Sequence, residues 1–447
     1  MKIYIETLGC PKNLVDSENM AGALEEAGHR ITTDPGEAGA IIVNTCGFID
    51  DAKKESIETI LDMAALKNGE ENSLSPKLIV TGCLSERYQD DLYQQIPEVD
   101  LFLGVNEYHL LPQLLEQPEF QEKKVFLGAD AAFAEPPSPR SKADGFSAYL
   151  KIAEGCDNFC AYCAIPAIRG AYRSRQMDQI LEEAKRLVKQ GVKELILVAQ
   201  DVTAYGIDLY GSYCLPELLR KLCRLENGPE WIRLMYCYEE RITDELIQVM
   251  AEEPKICHYI DIPIQHSSDQ ILSAMNRRST SASIQDTIDR LRNAIPDIHI
   301  RSTLITGFPG ETREDFQQLL QFVERNRFDR LGVFAYSKEE GTPAAAMKQQ
   351  IPKATKERRR DKIMALQQKI SLENNRKKIG TVLQVLVEEQ EEDGSYWGRS
   401  RFDAPEIDQT VLFTSKRKIK PGTMVQVRIL DAFDYDLTGE ETDEYTK

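Results

Sequence analysis

The chain has 447 residues, 42% hydrophobic and 29% charged, which is room for about three domains at roughly 150 residues each and excludes a short peptide or one small module. No apolar run approaches the roughly 18 residues of a membrane span, and Met1–Thr7 alternates apolar and polar residues and carries Glu6, so it reads as a strand rather than a signal peptide and a cytoplasmic address is expected. Acidic residues outnumber basic ones 73 to 55, for a net charge of −18, so the chain as a whole repels nucleic acid and anionic lipid, and a basic partner is expected.

Residues 1–127 read as a first α/β unit with strand-like runs at Lys2–Thr7, Ala40–Thr45 and Lys77–Thr81 and helices at Leu14–Ala27, Asp50–Lys67 and Glu86–Gln95. Each strand run is followed within a few residues by a cysteine: Cys10, Cys46 and Cys83, 36 and 37 residues apart. Taken singly these are three core thiols. Taken on three parallel neighbouring strands of a βαβ sheet, they converge at one edge as a three-thiolate site, the reading their common position favours. Gly9, Gly47 and Gly82 beside them allow tight turns and close backbone approach.

Residues 128–148 read as a linker, marked by the Pro-rich Ala134–Arg140. From Tyr149 to 378, six strand-like runs alternate with helical ones: Tyr149–Ala153, Glu194–Ala199, Trp231–Cys237, Tyr259–Ile264, His299–Ile305 and Arg330–Ala335. Six repeats fall short of the eight of a closed TIM barrel, so an open six-stranded (βα) partial barrel is expected, with its site at the carboxyl-end rim. Directly after the first run come Cys156, Cys160 and Cys163, spaced C-x3-C-x2-C. In a chain without an export signal, clustered cysteines point to metal or catalysis rather than disulfides.

Three thiolates on one loop can cap three irons of a cubane and leave the fourth open; a zinc site would need a distant fourth ligand. An open iron can bind S-adenosylmethionine, and an electron passed to its sulfonium releases a deoxyadenosyl radical. Tyr162, Gln200, Asp201 and Gly307 are candidate cofactor contacts, and no side chain is assigned a catalytic role. His266 reads as a structural hydrogen-bonder, the other histidines show no metal pattern, and Cys214, Cys223, Cys237 and Cys257 read as core thiols. Pro352–Lys378 reads as a charged helix with a solvated face, nucleic-acid contact being the alternative. Residues 379–447 read as a small antiparallel β-barrel, its strands broken at Asp393-Gly394, Pro421-Gly422 and Thr438-Gly439. Residues 381–447 hold 15 acidic against 8 basic residues, a net of −7, which disfavours a phosphate backbone; Lys416–Lys420 is read as a solvated turn.

The cysteine spacing, with Tyr162 before the last cysteine, resembles the radical SAM superfamily. Gly9–Glu18, Ala164–Gly170, Arg173–Arg175, Asp261–Asp269 and Thr306–Thr312 together resemble the methylthiotransferase family over nearly the whole chain. The family's layout implies an amino-terminal domain holding one 4Fe-4S cluster, on Cys10, Cys46 and Cys83. It implies a radical SAM domain holding a second, on Cys156, Cys160 and Cys163, and a carboxy-terminal TRAM barrel. The segment Cys10–Glu18 resembles the branch that adds a methylthio group to the β-carbon of an aspartate in ribosomal protein S-twelve. That implies S-adenosylmethionine as cofactor, the basic ribosomal protein as partner, an electron donor such as flavodoxin and a sulfur donor. No membrane is expected, and nucleic acid is not expected as direct substrate. The alternatives are a methylthiotransferase acting on a modified adenosine of tRNA and, in another class, a non-enzymatic iron–sulfur electron carrier.

Overall fold

The computed structural model describes residues 1–68, 75–116, 124–126, 140–141 and 145–443. Strands β1 (Lys2–Thr7), β2 (Arg30–Thr32), β3 (Ala40–Thr45), β4 (Lys77–Gly82), β5 (Leu101–Leu103) and β6 (Lys124–Phe126) form a parallel sheet in the order β2-β1-β3-β4-β5-β6. The central strand β3 is buried throughout, as a parallel strand covered on both faces must be. Ala40 and Ile42 join one core with Met20 and Leu24, and Ile41 and Val43 join another with Ile60 and Leu84, the two-residue alternation of a pleated strand.

Helix α1 (Pro11–Glu26) opens on a proline, where a missing N–H costs nothing, and α2 (Asp50–Asn68) follows β3. The helix expected at Glu86–Gln95 is two short ones, α3 (Cys83–Arg87) and α4 (Gln89–Gln95), broken at Tyr88, whose φ of −129° and ψ of 35° leave the helical region. α1 buries polar residues, Asn13, Asp16, Ser17 and Asn19, along with its apolar ones. It is covered on a second side by the next domain, whose Arg169 and Lys151 partner Asn13 and Asp16, while Thr7 and Asn44 of its own domain bond Ser17.

Strands β7 (Ser147–Lys151), β10 (Glu194–Val198), β11 (Trp231–Leu234), β12 (Ile256–Gln265), β13 (His299–Thr306) and β14 (Arg330–Ala335) form a second parallel sheet in sequential order, with β7 and β14 as unpaired edges. The expected open partial barrel is therefore observed. Its lumen packs Tyr149, Ile196, Val198, Trp231 and Tyr259 against Leu14 and Val15 of α1 and against Leu386, Ala404 and Met424 from the carboxy-terminal barrel. The first expected strand does not run unbroken to Ala153. A two-residue strand β8 (Ala153–Glu154) pairs instead with β9 (Arg173–Ser174), because Gly155, at φ +74°, brings the chain so close to Ala171 that a Cβ would lie 2.0 Å from its carbonyl oxygen. The third stops at Leu234, since Tyr236 takes a left-handed φ of +58°.

Of the Pro-rich connector only Arg140 lies among the described residues. It is buried, pairing with Glu18 at 2.6 Å and Glu183 at 3.1 Å. The charged helix spans Lys353–Arg376, with Lys356, Ile363, Gln367 and Ile370 on its buried side. The last unit, β15 (Val382–Gln390), β16 (Tyr396–Ser400), β17 (Val411–Thr414), β18 (Met424–Ala432) and β19 (Leu437–Glu441), closes as β15-β16-β17-β19-β18. Four of its pairings are antiparallel and β17–β19 is parallel. A ring of five strands cannot alternate direction all the way round, so one parallel seam is obligatory. Thr438-Gly439 is not a turn but lies inside β19, where Gly439 lets the backbone approach β18; a Cβ there would meet the Arg428 carbonyl oxygen at 2.3 Å. Among the described residues no helix is long and apolar enough to cross a membrane.

Candidate active site

The three dispersed cysteines emerge from adjacent strands. Cys10 caps α1 just past β1, Cys46 directly follows β3, and Cys83 opens α3 after β4. Parallel pairing of β1, β3 and β4 places all three at the carboxyl edge of one sheet, where such sheets bind their ligands. The neighbouring glycines make this convergence possible. A Cβ on Gly82 would lie 2.5 Å from both the Asn44 Oδ1 and the Thr45 carbonyl oxygen, one on Gly9 2.7 Å from Cys46 Cβ, and one on Gly47 2.8 Å from the Leu84 nitrogen.

Burial pushes the Cys83 thiol up to about 11 and raises that of Cys46. At Cys10 burial also acts upward, but Lys12, Arg169 and the N–H groups of Asn13 and Lys12 outweigh it and hold the thiol below its usual value. Cys10 and Cys46 both act electrostatically on Cys83, and Arg169 acts on all three. Asn13 ties the strand ends together, donating from Nδ2 to the carbonyls of Leu8 at 2.9 Å and Thr45 at 3.0 Å.

The second set lies on the loop after β8, and the surrounding rim holds that loop in place. Cys163 N–H donates to the Cys160 carbonyl, Cys156 N–H to the Gly170 carbonyl and Ala161 N–H to the Met275 carbonyl, at 3.0, 3.2 and 2.9 Å. Asn158 Nδ2 donates to Asp201 at 3.0 Å. All three thiols are half-buried; burial pushes Cys156 up to about 11 and Cys163 up to about 12. Thiols raised this far give up their protons when a metal binds. Each set of three soft donors could hold an iron–sulfur cluster. Among the described residues no three His, Cys, Asp or Glu side chains gather tightly enough to hold a single metal ion.

The other sequence candidates divide. Tyr162 packs beside Ile271, Met275 and Phe308, and burial, with Cys160 adjacent, holds its phenol well above the usual value. Gln200 donates to Glu154 Oε1 at 2.7 Å, while its own Oε1 is buried with no hydrogen-bond partner among the described residues. Asp201 is saturated: Oδ1 accepts from Thr203 and Ala204, and Oδ2 from Asn158 and Arg241. Its work is to hold the cysteine loop. Gly307 packs against the Lys356 side chain and gives its N–H to Glu311, so it too serves the scaffold. His266 Nδ1 accepts the Ser268 N–H at 2.9 Å, and burial lowers its pKa to about 4, keeping the ring neutral. Cys214, Cys223, Cys237 and Cys257 are buried in cores, as expected.

The sequence reading missed the group that joins the two sets. Arg169, 2% exposed and at the end of a short helix (Ile165–Arg169), donates to Asn13 at 2.6 Å, to Glu154 at 2.9 Å and to Asp16 at 3.2 Å. Lys151 also pairs with Asp16, and with Glu154 at 2.9 Å. Arg169 and Lys151 hold Glu154 well below the usual carboxylate range against its burial. Asp16 lies on α1, and the other three bracket the Cys156 loop. The available signal was Lys151, a charge inside the otherwise apolar run Tyr149–Ala153.

Residues 150–323 match the radical SAM superfamily, residues 2–104 the uncharacterized protein family UPF0004, and residues 379–441 the TRAM domain. The chain is similar over its full length to proteins named ribosomal protein uS12 methylthiotransferase RimO. Identity is 50% with that of Lachnoclostridium phytofermentans, covering 98% of this chain and 99% of the relative. It is 49% with that of Clostridioides difficile and 48% with that of Geobacter sulfurreducens, each covering 98% of both chains. The fold resembles the radical S-adenosylmethionine methyltransferase TsrM of Kitasatospora setae, at a TM-score of 0.56 and 13% identity over 86% of this chain and 80% of that one.

Proposed function

This chain belongs to the RimO family of ribosomal protein uS12 methylthiotransferases within the radical SAM superfamily, and from that membership we propose that it adds a methylthio group to the β-carbon of an aspartate of ribosomal protein uS12. The observation that carries the reading is the pair of three-thiol sets, one at the carboxyl edge of each sheet, joined by one buried ion network. An sp3 C–H bond has no useful acidity, so acid–base chemistry alone does not reach it. Membership in the superfamily implies S-adenosylmethionine and a 4Fe-4S cluster, which when bound together supply a deoxyadenosyl radical.

Cys156, Cys160 and Cys163 would hold that cluster, with Asp201 and Asn158 fixing the loop. Cys10, Cys46 and Cys83 would hold a second, which would supply the sulfur. Gln200 Oε1 offers a hydrogen-bond acceptor at the rim, and Tyr162 walls the loop. Arg169 fixes the position of one set relative to the other through Asp16 and Glu154. The acidic carboxy-terminal barrel suits a basic protein substrate better than tRNA. The reading also takes in domain boundaries near residues 127 and 378, a cytoplasmic location, an electron donor of the flavodoxin kind and a separate sulfur donor.

Iron content, deoxyadenosine and methylthiolated product measured in single cysteine variants test the assignment. Cys46→Ala is expected to lose product and part of the iron while still forming deoxyadenosine, and Cys160→Ala to lose both products. The opposite pattern would overturn it.

A further inference from the structure

The buried charges where α1 meets the partial barrel are nearly all matched. Arg169 and Lys151 share Asp16 and Glu154, and Arg301 pairs with Asp261 at 3.0 Å and Asp408 at 3.5 Å. Lys12 is the exception. It sits two residues past Cys10 in the first turn of α1 and is 7% exposed. Its ammonium lies 3.6 Å from the centre of the Tyr236 ring. Among the described residues that ring is its partner, and no carboxylate pairs with it. Tyr236 stands at the barrel rim just past β11, its left-handed backbone held by an N–H to Asp261 at 3.0 Å. Lys12 thus reaches from one domain to the open end of the other, near enough to Cys10 and Glu154 to act on both.

A buried ammonium with no carboxylate paired to it is costly, and a carboxylate arriving beside it relieves that cost. The cation–π contact fixes the ammonium in place, and its N–H donors have no carboxylate acceptor among the described residues. The carbon that loses hydrogen must be the carbon that gains sulfur, so it has to come within reach of both domains, and Lys12 spans from beside Cys10 in one to Tyr236 at the rim of the other. An aspartate side chain brings a carboxylate one bond from that carbon. We propose that Lys12 binds the carboxylate of the target aspartate and is the residue that selects aspartate over uncharged side chains. This rests on the reading of an aspartyl protein substrate given above.

The test uses holoenzyme and two synthetic peptides spanning the target site, one with aspartate and one with asparagine in its place. Binding is measured by fluorescence anisotropy, with iron content as the check on folding. Wild-type protein is expected to bind the aspartate peptide about tenfold to a hundredfold tighter, the scale of a charge-assisted hydrogen bond. Lys12→Met is expected to bind both peptides alike, and Lys12→Arg, which keeps the charge, to retain a preference. Aspartate preference undiminished in Lys12→Met would overturn the role of Lys12 alone, as would loss of preference in a well-loaded Lys12→Arg equal to that in Lys12→Met. Wild-type enzyme that neither binds nor modifies the aspartate peptide would remove the substrate reading, and the role of Lys12 with it.

Discussion

Replacing Arg169 by methionine leaves Asp16 and Glu154, whose side chains are 6% and 2% exposed, with Lys151 as their remaining cation. One buried carboxylate is then uncompensated, and breaking a buried pair in this way costs about 3–5 kcal/mol. Total stability is of order 5–15 kcal/mol, so the variant is expected to loosen α1 from the barrel well before the remainder unfolds. Urea titration followed by far-ultraviolet circular dichroism reads the effect. At a slope of roughly 2 kcal/mol per molar urea, the first midpoint falls by about 1.5–2.5 M. Adding Glu154→Gln to Arg169→Met removes the excess charge and is expected to restore more than half of the loss. An Arg169→Met midpoint indistinguishable from wild type would refute the reasoning, because a network that can lose its guanidinium freely does not join the domains.

Gly82→Ala forces a side chain into φ +95°, ψ −164°, a region open essentially to glycine, and against two oxygens at 2.5 Å. It is expected to lose the iron of the first cysteine set and keep that of the second, as read by iron quantification alongside deoxyadenosine formation. In iron-free protein at pH 8, mass spectrometry after brief iodoacetamide treatment should find Cys10 alkylated ahead of Cys83, since Cys10 is held low by Lys12 and Arg169 and Cys83 is pushed up to about 11. Glu194 is lowered to about 2, with Arg233 and Arg399 prevailing over its burial. Its folded value lies below the unfolded one, so the stability it adds is complete above about pH 4.5 and fades as pH falls toward 2. Because Arg399 belongs to the carboxy-terminal barrel and Glu194 to β10, acid titration should release that barrel in this window, and Glu194→Gln should flatten the dependence.

Local pattern carried much of the architecture. The six strands of the partial barrel were legible because buried parallel strands are short apolar runs set apart by helical spacers. Cys156, Cys160 and Cys163 were legible because their spacing is itself the chemistry. Cys10, Cys46 and Cys83 could be grouped because each follows a strand, and parallel strands deliver their ends to one edge. Thr438-Gly439 misled because a glycine that lets two strands approach looks the same in one dimension as a glycine that turns the chain. Asp201 and Gly307 stand at the expected rim, yet their polar groups are already taken up by neighbours that sequence does not place beside them.

The strand runs and the spacing of the cysteines after them follow from residue periodicity, which acts over a few residues at a time, whereas the order β2-β1-β3-β4-β5-β6 of the first sheet does not. The clamp of Asp16, Lys151, Glu154 and Arg169, the seat of Lys12 on Tyr236 and the parallel seam of the last barrel depend on which distant segments meet. A charge is stabilised or left in need of a partner by whatever the fold brings within a few ångströms of it, and that is a property of packing between domains rather than of any stretch of chain.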